Sequence, residues 1–416
     1  MPLLRTVATL ATLGMLLLAV PDAACARTVG KDGGPIVNSA GVTFGVTAHR
    51  GGAAEWPENS LAAFTADVEA GFDAIETDLV FTKDAQGVMS HSDRLPRRCT
   101  HAGTYLHTLT LAQVRRIRCA NLAGSKVVPI PTFDQLAAVL AQHPEVDLHL
   151  EVKTYTGQSA SGMRLWARRA VQLLIAHDLL EQSSMVTFNW PSVMSTILAS
   201  APGMKVHALD HGPSDPARVR LAARLGVHAY GTRMKYTSMY LAEYVRSLGM
   251  ESQPWGVMTE EERAFTIHYS GPEHFFGTDT PTALQASLVA GRVDLDPDAT
   301  IVTTQLANPV RISDTRYVAG VPQDKQVGRS AVPSAAIPML AGVILEVTVA
   351  PGGSGGEFEA APTGATTATV RVALDQGPRS FTVKVPLGKD RRVRIRTTRT
   401  ARLTVRVTGY ERMRLG

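Results

Sequence analysis

The stretch GVTAHRGGAAEWPENSLAAFTADVEAGFDAIETDLV, residues 45–80, sets the fold of the chain. It opens on a short apolar run, Val46-Thr47-Ala48-His49, that reads as a strand. An amphipathic helix follows from Ser60 to Ala70 and stops at Gly71, and a second strand runs from Ala74 to Val80. Strand, helix and strand in succession are the repeating unit of a parallel sheet. The alternation continues. Val88 to His91 reads as a third strand, Val146 to Lys153 as a fourth and Met185 to Asn189 as a fifth. Lys205 to Leu209, Gly226 to Gly231 and Gln253 to Val257 complete a count of eight, with helices over Phe133 to Ala141 and Arg164 to His177. Eight strands interleaved with helices fit an α/β TIM (β/α)8 barrel better than an open sheet, and no Gly-rich dinucleotide loop follows the first strand.

Past about residue 290 helical periodicity fades. Thr/Val-rich alternating runs separated by Gly/Pro turns take over: Val343 to Ala350, Thr367 to Leu374, Ser380 to Val385, Arg392 to Thr397 and Ala401 to Thr408. These predict a small all-β, sandwich-like accessory domain over 291–416, behind a barrel over 27–290. Residues 1–26 read as a Sec-type signal peptide, with Arg5 as its positive start, Thr6 to Val20 as its apolar run and Ala24-Cys25-Ala26 as its cleavage site. The expected location is extracellular. A retained anchor is the competing reading, but the apolar run falls short of the ~20 residues that span a bilayer.

Removal of that segment leaves Cys99 and Cys119. In an oxidising compartment they favour one disulfide, closing a loop of about 20 residues worth roughly 3 kcal/mol in the loop-entropy model, against the alternative of two free thiols. Neither has a partner at CxxC spacing, which excludes a structural zinc site. The net charge of +5 is uneven. Residues 27–290 hold 23 Lys+Arg against 25 Asp+Glu, and residues 291–416 hold 18 against 11. Arg392, Arg394 and Arg396 alternate with apolar residues, as do Arg402 and Arg406, so each row lies on one strand face. Such a face is either solvated or a docking surface for an anionic wall polymer or membrane. The basic strands lack interleaved aromatics, which speaks against nucleic acid.

The candidate chemistry sits at the ends of the barrel strands, where active sites of this fold form. Glu76 and Asp78 are two apart and project to one side of a strand, as do Glu151 and Lys153. Three carboxylates converging there cannot all ionise cheaply without a cation, and oxygen ligands suit one Mg²⁺ or Ca²⁺. His49 and His91 end their strands and can face each other across that cation. Phosphodiester cleavage needs such a pair, one imidazole taking a proton from the nucleophile and the other protonating the leaving oxygen. Arg50 and Lys153 are the candidate cations for phosphoryl charge. His101, His107 and His143 read as structural.

Together His49-Arg50-Gly51, Pro57-Glu58-Asn59, Glu76-x-Asp78, Thr82-Lys83-Asp84, His91 and Glu151-Val152-Lys153 resemble the glycerophosphodiester phosphodiesterase family over roughly residues 45–283. Pro129 to Thr132, Trp255 and Thr278-Asp279-Thr280-Pro281 extend the likeness. The resemblance implies a TIM barrel that hydrolyses glycerophosphodiesters to glycerol 3-phosphate and an alcohol. It makes His49 and His91 the acid/base pair and Glu76, Asp78 and Glu151 the metal ligands. Arg50 and Lys153 become phosphate contacts, Glu58 lies beside the site and Trp255 shapes the glycerol pocket. The sequence departs from the family pattern at Ser92, which separates His91 from Asp93, at Trp255-Gly256-Val257-Met258, and at Glu273 to Gly277. The alternatives are lysophospholipase D-type action on lysophospholipids through an entrance lined by Met258, Phe275 and Phe276, trimming of glycerophosphate wall polymers, and a non-catalytic phosphate-binding protein. The β-rich module resembles one recurring in secreted proteins of high-GC Gram-positive bacteria, on Asp314-Thr315-Arg316, Leu345 to Val349 and Val407 to Tyr410.

Overall fold

The computed structural model describes residues 34–121, 124–212, 214, 216–269, 271, 273–297, 299–328, 331–332, 340–350, 356–362, 370–374, 379–385 and 392–415. The export segment expected at 1–26 lies outside the described residues. Eight parallel strands form the barrel: β1 (Thr43–His49), β2 (Ala74–Phe81), β3 (Asp147–Val152), β4 (Ser183–Thr187), β5 (Lys205–Asp210), β6 (Ala229–Thr232), β7 (Glu251–Ser252) and β8 (Glu273–Thr278). Their hydrogen-bonded order runs β8-β1-β2-β3-β4-β5-β6-β7, with β8 pairing β1 in parallel from Glu273↔Thr43 to Thr278↔Ala48. A helix follows each strand: α1 (Leu61–Ala70), α2 (Phe133–Leu140), α3 (Ala160–Ala176), α4 (Trp190–Ser200), α5 (Pro216–Arg224), α6 (Met239–Ser247), α7 (Glu260–His268) and α8 (Pro281–Val289).

Local sequence explains the helix limits. The Ser60 hydroxyl accepts from the Ala63 amide at the start of α1, and Gly71 ends it at φ 72°, where a residue with a Cβ would be strained. Thr132 with Gln135 and Thr259 with Glu262 close reciprocal capping boxes on α2 and α7. Leu79, Leu148, Leu150, Met185 and Val206 are buried with α1 Phe64, α3 Val171 and α4 Trp190 in one large core. Among the described residues no helix is long and apolar enough to cross a membrane.

Eight is the expected number of strands, but their membership differs. Val88 to His91 is not a barrel strand: Gly87–Met89 pairs antiparallel with β2, from Leu79↔Met89 to Phe81↔Gly87. The turn between them is too short for the crossover that a parallel strand needs, and Thr82 closes it by donating to Asp84 and pairing with Gln86. The eighth place belongs to β8, whose Glu273 to Gly277 run departs from the family pattern and was not expected as a strand. The strand expected over Gln253 to Val257 is confined to Glu251–Ser252, because Pro254 cannot donate to a ladder. Trp255 makes only an isolated bridge to Arg233.

The short antiparallel strand opens an excursion over residues 82–131, inserted between β2 and α2. It contains a 3-10 turn at Leu106–Thr108, a helical turn at Leu111–Val114 and a hairpin of Arg118–Ala120 with Val127–Pro129. The Cys99–Cys119 disulfide is present and ties the loop to this hairpin. His107 and His143 have structural partners, Asp93 at 2.7 Å and Glu145 at 3.2 Å.

The C-terminal region forms two antiparallel sheets over a shared core that includes Tyr317, Leu345, Phe358, Val393 and Val405. One sheet orders β9 (Ala299–Tyr317), β16 (Ala401–Leu415), β11 (Leu340–Val349) and β14 (Arg379–Val385); the other orders β10 (Gln323–Gln326), β15 (Arg392–Thr397), β12 (Glu357–Pro362) and β13 (Val370–Ala373). The two arginine rows therefore belong to opposite sheets and do not form one surface. They are also met by acids: Arg394 by Asp324 at 2.9 Å, Arg396 by Glu359, Arg402 by Asp314 at 3.5 Å and Arg406 by Glu346 at 3.5 Å. The β-region contacts the barrel through Arg412, which donates to Glu261 at 3.1 Å.

Asp67, on α1, is fully buried, and neither of its carboxylate oxygens has a hydrogen-bond partner among the described residues. Burial, with Glu55 nearby, pushes its carboxyl up to about 8. The folded chain thus keeps a proton that the unfolded chain releases above about pH 4, so this residue subtracts stability as pH rises from about 4 to about 8. Asp67→Asn should raise the urea stability by at least ~1 kcal/mol at pH 8 and change it little near pH 4. Equal gains at both pH values would remove titration as the cause.

Candidate active site

β2 delivers Glu76 and Asp78 to the C-terminal rim, and the neighbouring β3 delivers Glu151, with Lys153 just beyond its end. The register sets Asp78 opposite Glu151. Ligand oxygens of Glu76, Asp78 and Glu151 all lie within 4.8 Å of one another. Lys153 Nζ stands 2.9 Å from Asp78 Oδ1 and 2.6 Å from Glu151 Oε1. The Arg50 amide donates to Glu76 Oε2 at 3.0 Å, and its Nε is 3.5 Å from Asp78 Oδ2. The three acids and Lys153 expected from sequence are therefore one cluster.

Their charges respond to each other. Burial, and then the neighbouring Asp78, push the Glu76 carboxyl up to about 7. Burial also raises Glu151, against the pull of Lys153. Asp78 moves the other way: burial opposes its ionisation, but Lys153, His91 and Arg50 hold it below the usual carboxylate range. One ammonium and one guanidinium do not neutralise three acids, so the centre remains short of positive charge. Its all-oxygen donor set fits a hard divalent cation, which Glu76, Asp78 and Glu151 would hold.

His49, at the end of β1, has its Nδ1 2.6 Å from Asp279 Oδ1 and its Nε2 3.8 Å from Glu76 Oε2. Burial disfavours its charged form, but the bond to Asp279 and the charge of Glu76 outweigh that and raise its pKa. His91 lines a pocket of about 230 Å³ with Arg50, Glu58, Asn59 and Asp279. Burial, reinforced by Lys153 and Arg50, takes its ring down to about 4 even with Asp78 close by. One imidazole is thus biased toward carrying a proton and the other toward the neutral form. His91 reaches the site from the antiparallel excursion rather than from a barrel strand, and Ser92 Oγ lies 3.3 Å from its Nδ1. Asp93 turns away to His107.

The loop after β1 is shaped for this purpose. Arg50 and Asn59 are non-glycine residues at φ 53° and 51°, in the left-handed region. Between them Gly51, at φ 73°, lies where a Cβ would come 2.7 Å from Ala63 Cβ. The Asn59 amide bonds to the Arg50 carbonyl at 2.8 Å. Its side chain donates to Asp78 Oδ2 at 2.8 Å and accepts from the Thr77 hydroxyl at 2.6 Å, fixing the rotamer of a would-be ligand. Glu58 receives Arg50 at 3.4 Å on one oxygen and Arg98 on the other.

Trp255 stands apart from that cluster. Its indole donates to the Asp210 carbonyl at 3.0 Å and packs edge-on against Phe188 and His211, which stack on each other at 3.9 Å. Met258 is 85% exposed, while the side chains of Phe275 and Phe276 lie outside the described residues. Sequence reasoning did not assign Asn59, Asp279 or Arg98. Asn59 follows Glu58, and Asp279 lies in the Thr278-Asp279-Thr280-Pro281 run, so both had a signal in quoted motifs. Arg98 had none, because its approach to Glu58 depends on the excursion.

Eight parallel strands with acids and imidazoles gathered at one rim define a TIM barrel with an enzyme-type polar centre. The family model for the glycerophosphoryl diester phosphodiesterase family matches residues 49–271, and the chain belongs to that family. It is 25% identical over 225 residues to a glycerophosphodiester phosphodiesterase of Caldanaerobacter subterraneus, covering 52% of this chain and 87% of that protein. YhdW of Bacillus subtilis is 32% identical over 115 residues, 27% of this chain and 46% of the relative, so the matched stretch spans about half of that protein. A Silicibacter pomeroyi protein of known structure shares the fold with TM-score 0.54 at 18% identity, over 65% of this chain and 98% of that one. An Oleispira antarctica phosphodiesterase, solved with the product sn-glycerol-3-phosphate, aligns with TM-score 0.50 at 20% identity, over 59% and 96%.

Calorimetric titration with Mg²⁺ or Ca²⁺ should show one bound equivalent. Glu76→Gln and Glu151→Gln should each weaken it at least ~10-fold, and Asn59→Ala, which frees Asp78, should do so as well. Unchanged affinity in the two glutamate variants would exclude this cluster as the cation site.

Proposed function

We propose that the protein hydrolyses glycerophosphodiesters to sn-glycerol 3-phosphate and an alcohol, using His49 and His91 as acid and base and one divalent cation. The observation that carries this reading is the gathering of two imidazoles, His49 beside Glu76 and His91 on the pocket with Arg50, at one acidic triad. Family membership and the product bound by the Oleispira antarctica phosphodiesterase give the substrate class its support.

In this scheme the phosphodiester enters the pocket beside Arg50 and Lys153, whose charges meet its non-bridging oxygens. When bound, the cation supplies Lewis-acid stabilisation of charge on the phosphoryl group. His91, held neutral, takes the proton from the attacking water as the new P–O bond forms; where the substrate's neighbouring hydroxyl attacks instead, the cyclic phosphate that results is opened by water in a second step to give the same product. His49, hydrogen-bonded to Asp279, gives a proton to the departing alkoxide as the ester P–O bond breaks. Asp279 fixes the His49 ring so that Nε2 points into the site. We assign the glycerol carbons to Trp255, which packs against Phe188 and His211. The apolar run Thr6 to Val20 and the Cys99–Cys119 bridge support action outside the cytoplasm.

His49→Ala and His91→Ala should each lower turnover of glycerophosphocholine or glycerophosphoglycerol by at least ~10²-fold. EDTA should abolish it and added Mg²⁺ or Ca²⁺ restore it. Near wild-type rates in either histidine variant would defeat the assignment.

A further inference from the structure

The excursion carries a charge pattern that the hydrolysis itself does not use. Between residues 94 and 126 the chain holds seven Lys and Arg and no Asp or Glu, although 27–290 as a whole carries two more acids than bases. Six of the seven are exposed on the excursion. The seventh, Arg98, has a side chain 29% exposed that lines the pocket beside His91 and binds Glu58. Arg50 takes the other oxygen of the same carboxylate at 3.4 Å. Glu58 thus pairs with both guanidiniums, Arg50 also stands 3.5 Å from Asp78, and Arg98, for which Glu58 is the one acid partner among the described residues, keeps further N–H donors at the pocket edge.

This edge is held by a braced backbone. Arg98 precedes Cys99, whose bridge to Cys119 fastens it to the hairpin, and the Arg98 carbonyl accepts from the Ala120 amide at 2.9 Å. Lys126, on the same hairpin, stands 4.5 Å over the Trp56 ring, so the excursion is also clamped to the loop after β1. Besides Met89 to Ser92, its contribution to the pocket wall is Pro96, Arg98, the two cysteines, Ala120 and the Val128 to Ile130 run. Among the described residues that wall has no acid and no Trp, Tyr or Phe ring. A quaternary ammonium is recognised by aromatic faces or carboxylates. Here it would meet a guanidinium.

We propose that this wall is the subsite for the leaving alcohol, and that Arg98 selects glycerophosphodiesters whose alcohol carries a further negative charge, such as a phosphate monoester. The proposal rests on the hydrolase reading above and names the substrate class of that site. Arg98 presents forked donors that match a phosphate or carboxylate. The exposed cations around it raise the local concentration and capture rate of anionic substrates, an effect that salt screens.

The test compares three diesters on the intact protein with its cation: one whose alcohol is choline, one glycerol and one glycerol phosphate. Expected kcat/KM rises in that order, with about 10-fold or more between the first and last. Arg98→Gln should cut the phosphate-bearing diester at least ~5-fold more than the choline diester, Arg98→Lys should retain most of the preference, and 0.5 M NaCl should compress it. A merely structural role for Arg98 would lower all three alike. Equal rates, or a preference for choline, would overturn the inference while leaving the hydrolase reading intact. Absence of turnover on all three would instead defeat the hydrolase reading. The same compounds titrated calorimetrically would then have to rank in the same order of affinity, and equal affinities would overturn the subsite too.

Discussion

Three carboxylates on two adjacent strands are brought together where little water can screen them, and the rest of the site answers that repulsion. Lys153 inserts between Asp78 and Glu151, Arg50 covers Asp78 and lends its amide to Glu76, and Asn59 ties Asp78 to Thr77. Even so, Glu76 is driven up to about 7. A buried acid cluster left in that state is costly, and a divalent cation is the economical remedy. The same field sorts the histidines, since His49 gains from Glu76 and Asp279 while burial and the cations strip His91 of its proton.

Holding this cluster places demands on the backbone around it. The loop after β1 passes through left-handed conformations at Arg50, Gly51, Gly52 and Asn59, and the cost is met by the helix and loop packed on it. Gly51 lies against Ala63 of α1 and Gly52 against Pro281 of α8, so the loop is seated between the first and last helices of the barrel. Closure of the barrel by β8 on β1 also carries Asp279 to His49. One pairing thus completes both the fold and the orientation of an imidazole.

The excursion adds a second layer. Its antiparallel strand, its hairpin and its disulfide form a wall that no barrel strand supplies, and this wall brings His91 and Arg98 to the pocket. Basic residues are concentrated here, whereas the arginine rows of the C-terminal sheets are met by acids across neighbouring strands and face away on opposite sheets. The arginine rows are thus paired locally, although residues 291–416 keep 18 Lys+Arg against 11 Asp+Glu.

Much of this was written in short-range pattern. The strand–helix–strand unit over residues 45–80, the helix limits at Ser60 and Gly71, and the same-side projection of Glu76 with Asp78 and of Glu151 with Lys153 follow from periodicity and spacing alone, because each depends on residues near in sequence. The pairing of Cys99 with Cys119 follows instead from an expected oxidising compartment and the two cysteines left there. The eighth strand did not show, since Glu273 to Gly277 has no apolar alternation and becomes a strand only by pairing with β1 across more than two hundred residues. Val88 looked like a barrel strand because an apolar run carries no sign of direction, and only the short turn after β2 forces it back antiparallel. Asp279 against His49 and Arg98 against Glu58 likewise join distant segments, which no local signal encodes. The sequence by itself determined which chemical groups were available and on which face each strand would show them. The tertiary structure alone decided which of those groups meet, because that depends on barrel closure and on where the excursion lands.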